Sequence, residues 1–338
     1  MGMTDQTSLA TASIGANAES RSSSSARLVR RRFVGAFHAE PVPLSRKTTL
    51  AQALAFVATS CLRQIALNES GVLSGSPEAV HQMRIGLRRL RAALSIFKGL
   101  FRSGEVDALK RELVWLTEQL AAVRDYDVLI ASTRSFEPTS KFYFDGNSEL
   151  EEELHRRQQK ALGIATGAVA SARFERLICS ATLDLALWAD EERVGGGTAR
   201  RFARRVLARR TRRVLRELAD FPRLRPSERH KLRIRLKKLR YGLEFFEAAL
   251  PKPKGRRPHF GRELEALQDT LGRLTDIEVH RRLAQELVED NVNEGRLGRR
   301  IAFAMGALTR NEQSETAALV AAVPKLRARL AKRANSWR

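Results

Sequence analysis

An all-α fold is predicted by three features of the 338-residue chain. Apolar residues recur at three- and four-residue steps, no stretch alternates with period two, and one helical block occurs twice. The block reads His81-Gln-Met-Arg-Ile-Gly-Leu-Arg-Arg-Leu-Arg91, and it returns 149 residues later as His230-Lys-Leu-Arg-Ile-Arg-Leu-Lys-Lys-Leu-Arg240. At about 100° per residue, Met83, Leu87, Leu90, Leu94 and Phe97 form one apolar stripe. Leu232, Leu236, Leu239, Leu243 and Phe246 form its counterpart. Beside each stripe runs a basic ridge: His81, Arg84, Arg88 and Arg91 in the first copy, and His230, Arg233, Lys237 and Arg240 in the second. A solvated face normally mixes signs and so gains ion pairs. These ridges contain no acid, which is the arrangement expected if an anionic body lies against them.

Taken in order, residues 1–45 are rich in Ser, Ala, Thr and Gly, with a basic cluster at Arg27 and Arg30–Arg32. This composition buries too little to order itself, so a disordered tail is expected. An amphipathic helix follows from Thr48 to about Ser70 and carries Arg63. The first basic helix spans about 77–101, with Pro77 in its first turn. Two helical segments over about 107–136 join near Arg124-Asp-Tyr-Asp127, and a polar loop follows at Arg134–Ser148. A long helix starts at Glu149, and another ends near Ala189.

Val194-Gly-Gly-Gly-Thr198 marks the boundary between halves 46–194 and 195–338. The next helix presents Arg201, Arg205, Arg209, Arg212 and Arg216 on one face. By the repeat offset it is the second copy of the 48–70 helix, so Arg63 pairs with Arg212. Phe221–Pro226 interrupts it, Pro226 opens the second basic helix, and Pro251–Pro258 is a basic loop. The rest is helical to a basic end. Arg111–Val128 resembles Arg262–Val279 at an offset of 151, so the duplication extends past the basic helices.

With 61 Lys and Arg against 38 Asp and Glu, the net charge is +23 and the sequence pI about 11.1. That balance calls for an anionic partner such as nucleic acid, an acidic membrane surface or a phosphate polymer. Cys61 and Cys179 read as small core residues of a reducing compartment. No run approaches the roughly 18–20 apolar residues of a membrane span, and the N-terminus lacks the pattern of a signal peptide. A soluble cytoplasmic protein is expected.

The His-x-x-Arg-Ile-x-x-Arg-Arg-Leu-Arg block, its second copy ending Lys-Leu-Arg-Tyr241, and the Arg-Asp-x-Asp-Val element resemble the CHAD family over about residues 45–335. The resemblance implies two pseudo-symmetric helical bundles around a basic central cleft or pore. It also implies binding of inorganic polyphosphate, often at polyphosphate granules. Two departures stand out. Thr275 occupies the position of Arg124, and Lys237-Lys238 that of Arg88-Arg89. Lysine supplies charge but no bidentate fork.

The expected polyphosphate site is therefore His81, Arg84, Arg88, Arg91, His230, Arg233, Lys237 and Arg240, extended by Arg63, Arg205, Arg209 and Arg212. A polyanion would raise the histidine pKa values, so binding should strengthen as pH falls. Arg89 and Lys238 turn to another face and read as solvated. Asp125, Asp127, Asp276 and Glu278 read as helix caps and partners for arginines, since acids at i and i+2 on a helix diverge too far to share a metal. No metal or cofactor is expected. A non-enzymatic binder is the favoured reading. A nucleic-acid-binding protein is the alternative, because such a chain holds nucleic acid at low salt whatever its role. A phosphate-transfer or polyphosphate-processing enzyme is the third reading. The oligomeric state is left open.

Overall fold

The computed structural model describes residues 35–134, 147–250, 257–291 and 295–334. The tail to residue 34, most of the expected polar loop (135–146) and the basic loop at 251–256 lie outside the described residues. Among those described, helices are joined by turns, and the one β-type contact is an isolated bridge. The fold is all-α.

The helices are α1 (Leu50–Ala66), α2 (Glu69–Leu73), α3 (Pro77–Ile96), α4 (Asp107–Gln119), α5 (Ala121–Arg134), α6 (Asn147–Val169), α7 (Ala172–Trp188) and α8 (Glu191–Val194). The second half holds α9 (Ala199–Glu217), α10 (Pro226–Phe246), α11 (Arg257–Asp290) and α12 (Gly295–Arg333). Short 3₁₀ turns follow α3 and α9.

Their starts are encoded locally. Thr49 and Gln52 form a capping box at α1. Ser76 caps α3 ahead of Pro77, and Thr198 caps α9. Between the halves, Gly195 and Gly197 adopt φ of 73° and 147°, which a side chain would resist. The predicted stripes are core: Met83, Leu87, Leu90, Phe97, Leu232, Leu236, Leu239 and Phe246 have no exposed surface. Each contributes about 1.5–3 kcal/mol by leaving water.

The two copies are arranged about a pseudo-twofold axis. Only residues near such an axis can meet their own counterparts. Thr49 and Thr198, 149 positions apart, form the isolated antiparallel bridge. Leu50 N donates to Gly197 O and Ala199 N to Thr48 O, both at 3.0 Å. Phe97 lies 5.8 Å from its counterpart Phe246, and both pack against Phe202.

The halves do not keep separate cores. One apolar cluster runs from Val42, Leu54, Leu87 and Phe174 to Val206, Leu236, Leu264 and Leu330. A smaller one joins Leu129, Leu150 and Leu154 to Leu283, Ile301 and Met305.

Several expectations are corrected. The segment 35–45 is not a loose tail, because Val42 and Leu44 are buried and Phe37 exchanges two 2.9 Å hydrogen bonds with the Asn68 side chain. The break in 107–134 falls at Leu120, so Arg124–Asp127 lie inside α5. Cys179 is exposed, and only Cys61 is a core residue. Leu50–Leu73 does reach the length and apolarity of a membrane span by composition. Its apolar positions are used instead in the interior, where Leu54, Val57, Cys61 and Ile65 are fully buried.

Candidate anion-binding site

The ridge of α3 and the ridge of α10 approach each other between α5 and α11. Arg88 and Arg124 act electrostatically on His81 and Arg84 of the first ridge, and Arg88 acts on Arg233 and Lys237 of the second. Arg88 acts on both Arg233 and Lys237, its own counterpart, so it lies near the pseudo-twofold axis.

Each copy anchors its first arginine differently. Arg84 donates from Nη1 to the carbonyl of Leu120 at 2.7 Å, a carbonyl that the break between α4 and α5 leaves free. In the second copy α11 continues unbroken, and the hydroxyl of Thr275 donates to the equivalent carbonyl of Leu271 at 2.9 Å. Arg233 turns instead towards Asp276, with Nη2 4.0 Å from Oδ1. The Arg124/Thr275 departure thus accompanies a difference in helix continuity.

The ridges hold more buried polar nitrogens than the protein satisfies. Nδ1 of His81 and Nε of Arg84, Arg88 and Arg233 are buried without a hydrogen-bond partner among the described residues. Burial and the neighbouring cations Arg124, Arg88 and Arg84 push His81 down to about 4, against a weaker pull from Glu78. Burial, then Arg233 and Lys237, also lowers His230. Lys237 falls to about 7 through burial, Arg233 and Arg88, despite Asp276. Arg84 falls to about 10 through burial and Arg88, and it remains cationic at neutral pH. Buried like charges without acceptors are costly. An oxyanion entering here would meet preformed donors and relieve their repulsion.

Acids line the same space. Burial raises Asp125 and Asp127 despite nearby arginines. Asp125 accepts from Arg282 Nη2 at 3.4 Å, and Asp127 from Gln158 Nε2 at 2.5 Å. They sit within α5 and are not helix caps, although the expected pairing of Asp276 with an arginine is present. Arg124 belongs to the cluster and was missing from the predicted set. The repeat pattern pointed to it only as a mismatch with Thr275.

Not every predicted residue joins the cluster. Arg240 lies at its edge, exposed over the ring of Tyr241 at 5.3 Å, and it still acts on Lys237. Arg91 is exposed and acts on Lys238. Arg63 is drawn to the ordered 35–45 segment, 3.6 Å from Glu40 and over the Phe37 ring at 5.8 Å. Arg205, Arg209 and Arg212 occupy the exposed outer face of α9, because Phe202, Val206 and Leu207 take its inner face. Arg89 is not solvated. It is 1% exposed and donates to Glu244, Gln64 and Ser60 at 2.9, 2.9 and 3.2 Å. Lys238 is half-buried.

The model of the CHAD domain family matches residues 57–285. Among solved structures, the chain is similar to a crystal structure of the CHAD domain from the plant Ricinus communis. The two share 29% identity over 88% of this chain and 96% of that one, with a TM-score of 0.74. PptA from Streptomyces chartreusis superposes with a TM-score of 0.59 at 20% identity, over 82% and 99% of the two chains, a likeness of fold. No curated protein matches.

Proposed function

The chain belongs to the CHAD domain family, and from that premise we propose that it is a non-enzymatic binder of inorganic polyphosphate held by the paired ridges of α3 and α10. The family implies a polyphosphate-associated role. The observation that supports binding at this site is the set of buried nitrogens without hydrogen-bond partners, Nδ1 of His81 and Nε of Arg84, Arg88 and Arg233. A linear polyphosphate carries charge on every internal unit and offers no bases to stack or read. An array of forked donors along a groove suits it better than aromatic platforms do. His81, Arg84, Arg88 and Arg124 form one wall, His230, Arg233, Lys237 and Arg240 form the other, and Asp125 and Asp276 moderate the field between them. The protein would act in the cytoplasm, at polyphosphate granules.

The test compares long-chain polyphosphate with single-stranded RNA and duplex DNA at about 150 mM salt, where loose surface contacts are screened. Polyphosphate should bind most tightly, with log affinity falling linearly in log salt as counterions are released. Arg84→Ala/Arg233→Ala should weaken it by about 100-fold, the equivalent of about 2.7 kcal/mol. Equal affinity for all three polymers, unchanged in the double variant, would mean a diffuse basic surface and restore the nucleic-acid reading.

A further inference from the structure

The 149-residue correspondence also relates two environments outside the cleft. Arg89 and Lys238 are counterparts, as are Ser60 and Arg209, Cys61 and Arg210, Gln64 and Arg213, and Glu244 and Ser95. In the first environment the guanidinium of Arg89 is satisfied by Glu244, Gln64 and Ser60. In the second, each of those acceptors has been exchanged. Ser95 stands where a carboxylate would be, and Arg209 and Arg213 stand where Ser60 and Gln64 would be.

The result is a cluster of cations short of anions. Arg210 Nη2 donates to the carbonyl and hydroxyl oxygens of Ser95 at 2.6 and 3.1 Å, while its Nε is buried without a partner. Lys238 feels the charges of Arg210 on α9, Arg91 on α3, Lys110 on α4 and Arg235 on its own helix. Glu217 is already engaged by Arg213 at 2.9 Å and Arg235 at 2.5 Å, and Asp107 by Lys110 at 2.9 Å. Neither Lys238 nor Arg91 has an acid partner among the described residues. The cluster is separate from the cleft. Lys238 points about 100° away from Lys237 and shares its flank with Gly242. A Cβ on Gly242 would lie 3.0 Å from Leu207 of α9 and 3.3 Å from Ile96 of α3.

We propose that Lys238, Arg210 and Arg91 form a second anion site, which takes a phosphate-type oxyanion in the place that the Glu244 carboxylate fills in the other copy. The ligand chemistry is a compact phosphoryl group with exposed oxygens, supplied either by free orthophosphate or by the end of a short polyphosphate. The site follows from the exchanged ion pair, and it stands whether or not the cleft binds polymer.

Thermal unfolding at constant ionic strength, with chloride replaced by orthophosphate or tripolyphosphate, tests it in the cleft variant Arg84→Ala/Arg233→Ala. That background should retain an anion-dependent rise in Tm. Adding Ser95→Glu should abolish the rise and should lift Tm without any anion, because it restores the internal carboxylate. Lys238→Gln should weaken anion binding about tenfold, or about 1.4 kcal/mol. Stabilisation by orthophosphate would identify the free ion as sufficient, and stabilisation by tripolyphosphate alone would identify a chain end. The site is refuted if the rise disappears with the cleft pair, or if it survives both Ser95→Glu and Lys238→Gln.

Discussion

At the scale of single residues, the pH response of the proposed anion site should belong chiefly to Lys237 and not to the histidines. The sequence suggests histidine control, but burial and neighbouring cations already hold His81 down at about 4 and His230 below its ordinary value. Both are then neutral at pH 7. They gain protons only in acid, where a bound polyanion lets them strengthen the complex. Lys237 sits at about 7, so it is half-charged at neutral pH. A polyanion favours its charged form and raises its pKa, so the complex holds more protons than the free protein. Affinity therefore falls as pH rises above about 7. Calorimetry at about pH 8 in buffers of different ionisation heat should show proton uptake on binding. Lys237→Arg, which stays charged, should remove that uptake and flatten affinity between about pH 7 and 9. Wild-type binding without proton exchange would contradict this assignment. In folding, the sign is opposite in benefit. The folded-state value lies below the unfolded one, so stability declines as pH falls from about 10.4 towards 7.

At the scale of elements, the bond between α3 and α10 depends on a contact that local patterns do not announce. The stripes and ridges were legible because a helix must repeat every 3.6 residues to keep one face buried. The fate of Arg89 was not legible, since its carboxylate comes from Glu244, 155 positions away, and its other acceptors from α1. Gln64 extends the contact, donating to Gln82 at 3.0 Å, which donates to Glu78 at 2.7 Å. A satisfied polar chain of this kind fixes which helices adjoin. The join between α4 and α5 was legible in existence but not in place: the sequence puts it near Arg124–Asp127 and it falls at Leu120, whose counterpart Leu271 is the same residue type in an unbroken helix. Removing the carboxylate should be expensive, because it strands a buried guanidinium. Glu244→Ala should lower unfolding stability by about 2–3 kcal/mol, less than for a fully enclosed pair, since Glu244 is 40% exposed. Denaturant midpoints measure this directly, and a loss under about 0.5 kcal/mol, the range of ordinary surface changes, would deny the contact its structural role.

At the scale of the whole molecule, the repeat is visible in sequence, but the dependence of its halves on each other is not. Val194–Thr198 reads as a domain boundary, yet backbone bonds tie it to the start of the first half, Leu50 donating to Gly197 and Ala199 to Thr48. Both apolar clusters draw residues from both halves. Cutting the chain there would expose Phe97, Leu87 and Leu54 on one piece and Phe246, Val206 and Leu236 on the other. At about 25 cal/mol per Å² of apolar surface, losing several such side chains exceeds the 5–15 kcal/mol that typically holds a domain folded. Calorimetry of the full chain should therefore show one cooperative transition, with calorimetric and van't Hoff enthalpies in agreement. Fragments ending or starting in the Gly195–Gly197 turn should not fold alone and should regain helical structure only when mixed. Two resolved transitions, or a stably folded fragment, would mean that each repeat carries its own core. A single transition also has a functional consequence. Because the proposed site is built from α3 of one repeat and α10 of the other, a polyanion bridging them would stabilise the entire fold by mass action, and the site would exist only while both copies are folded together.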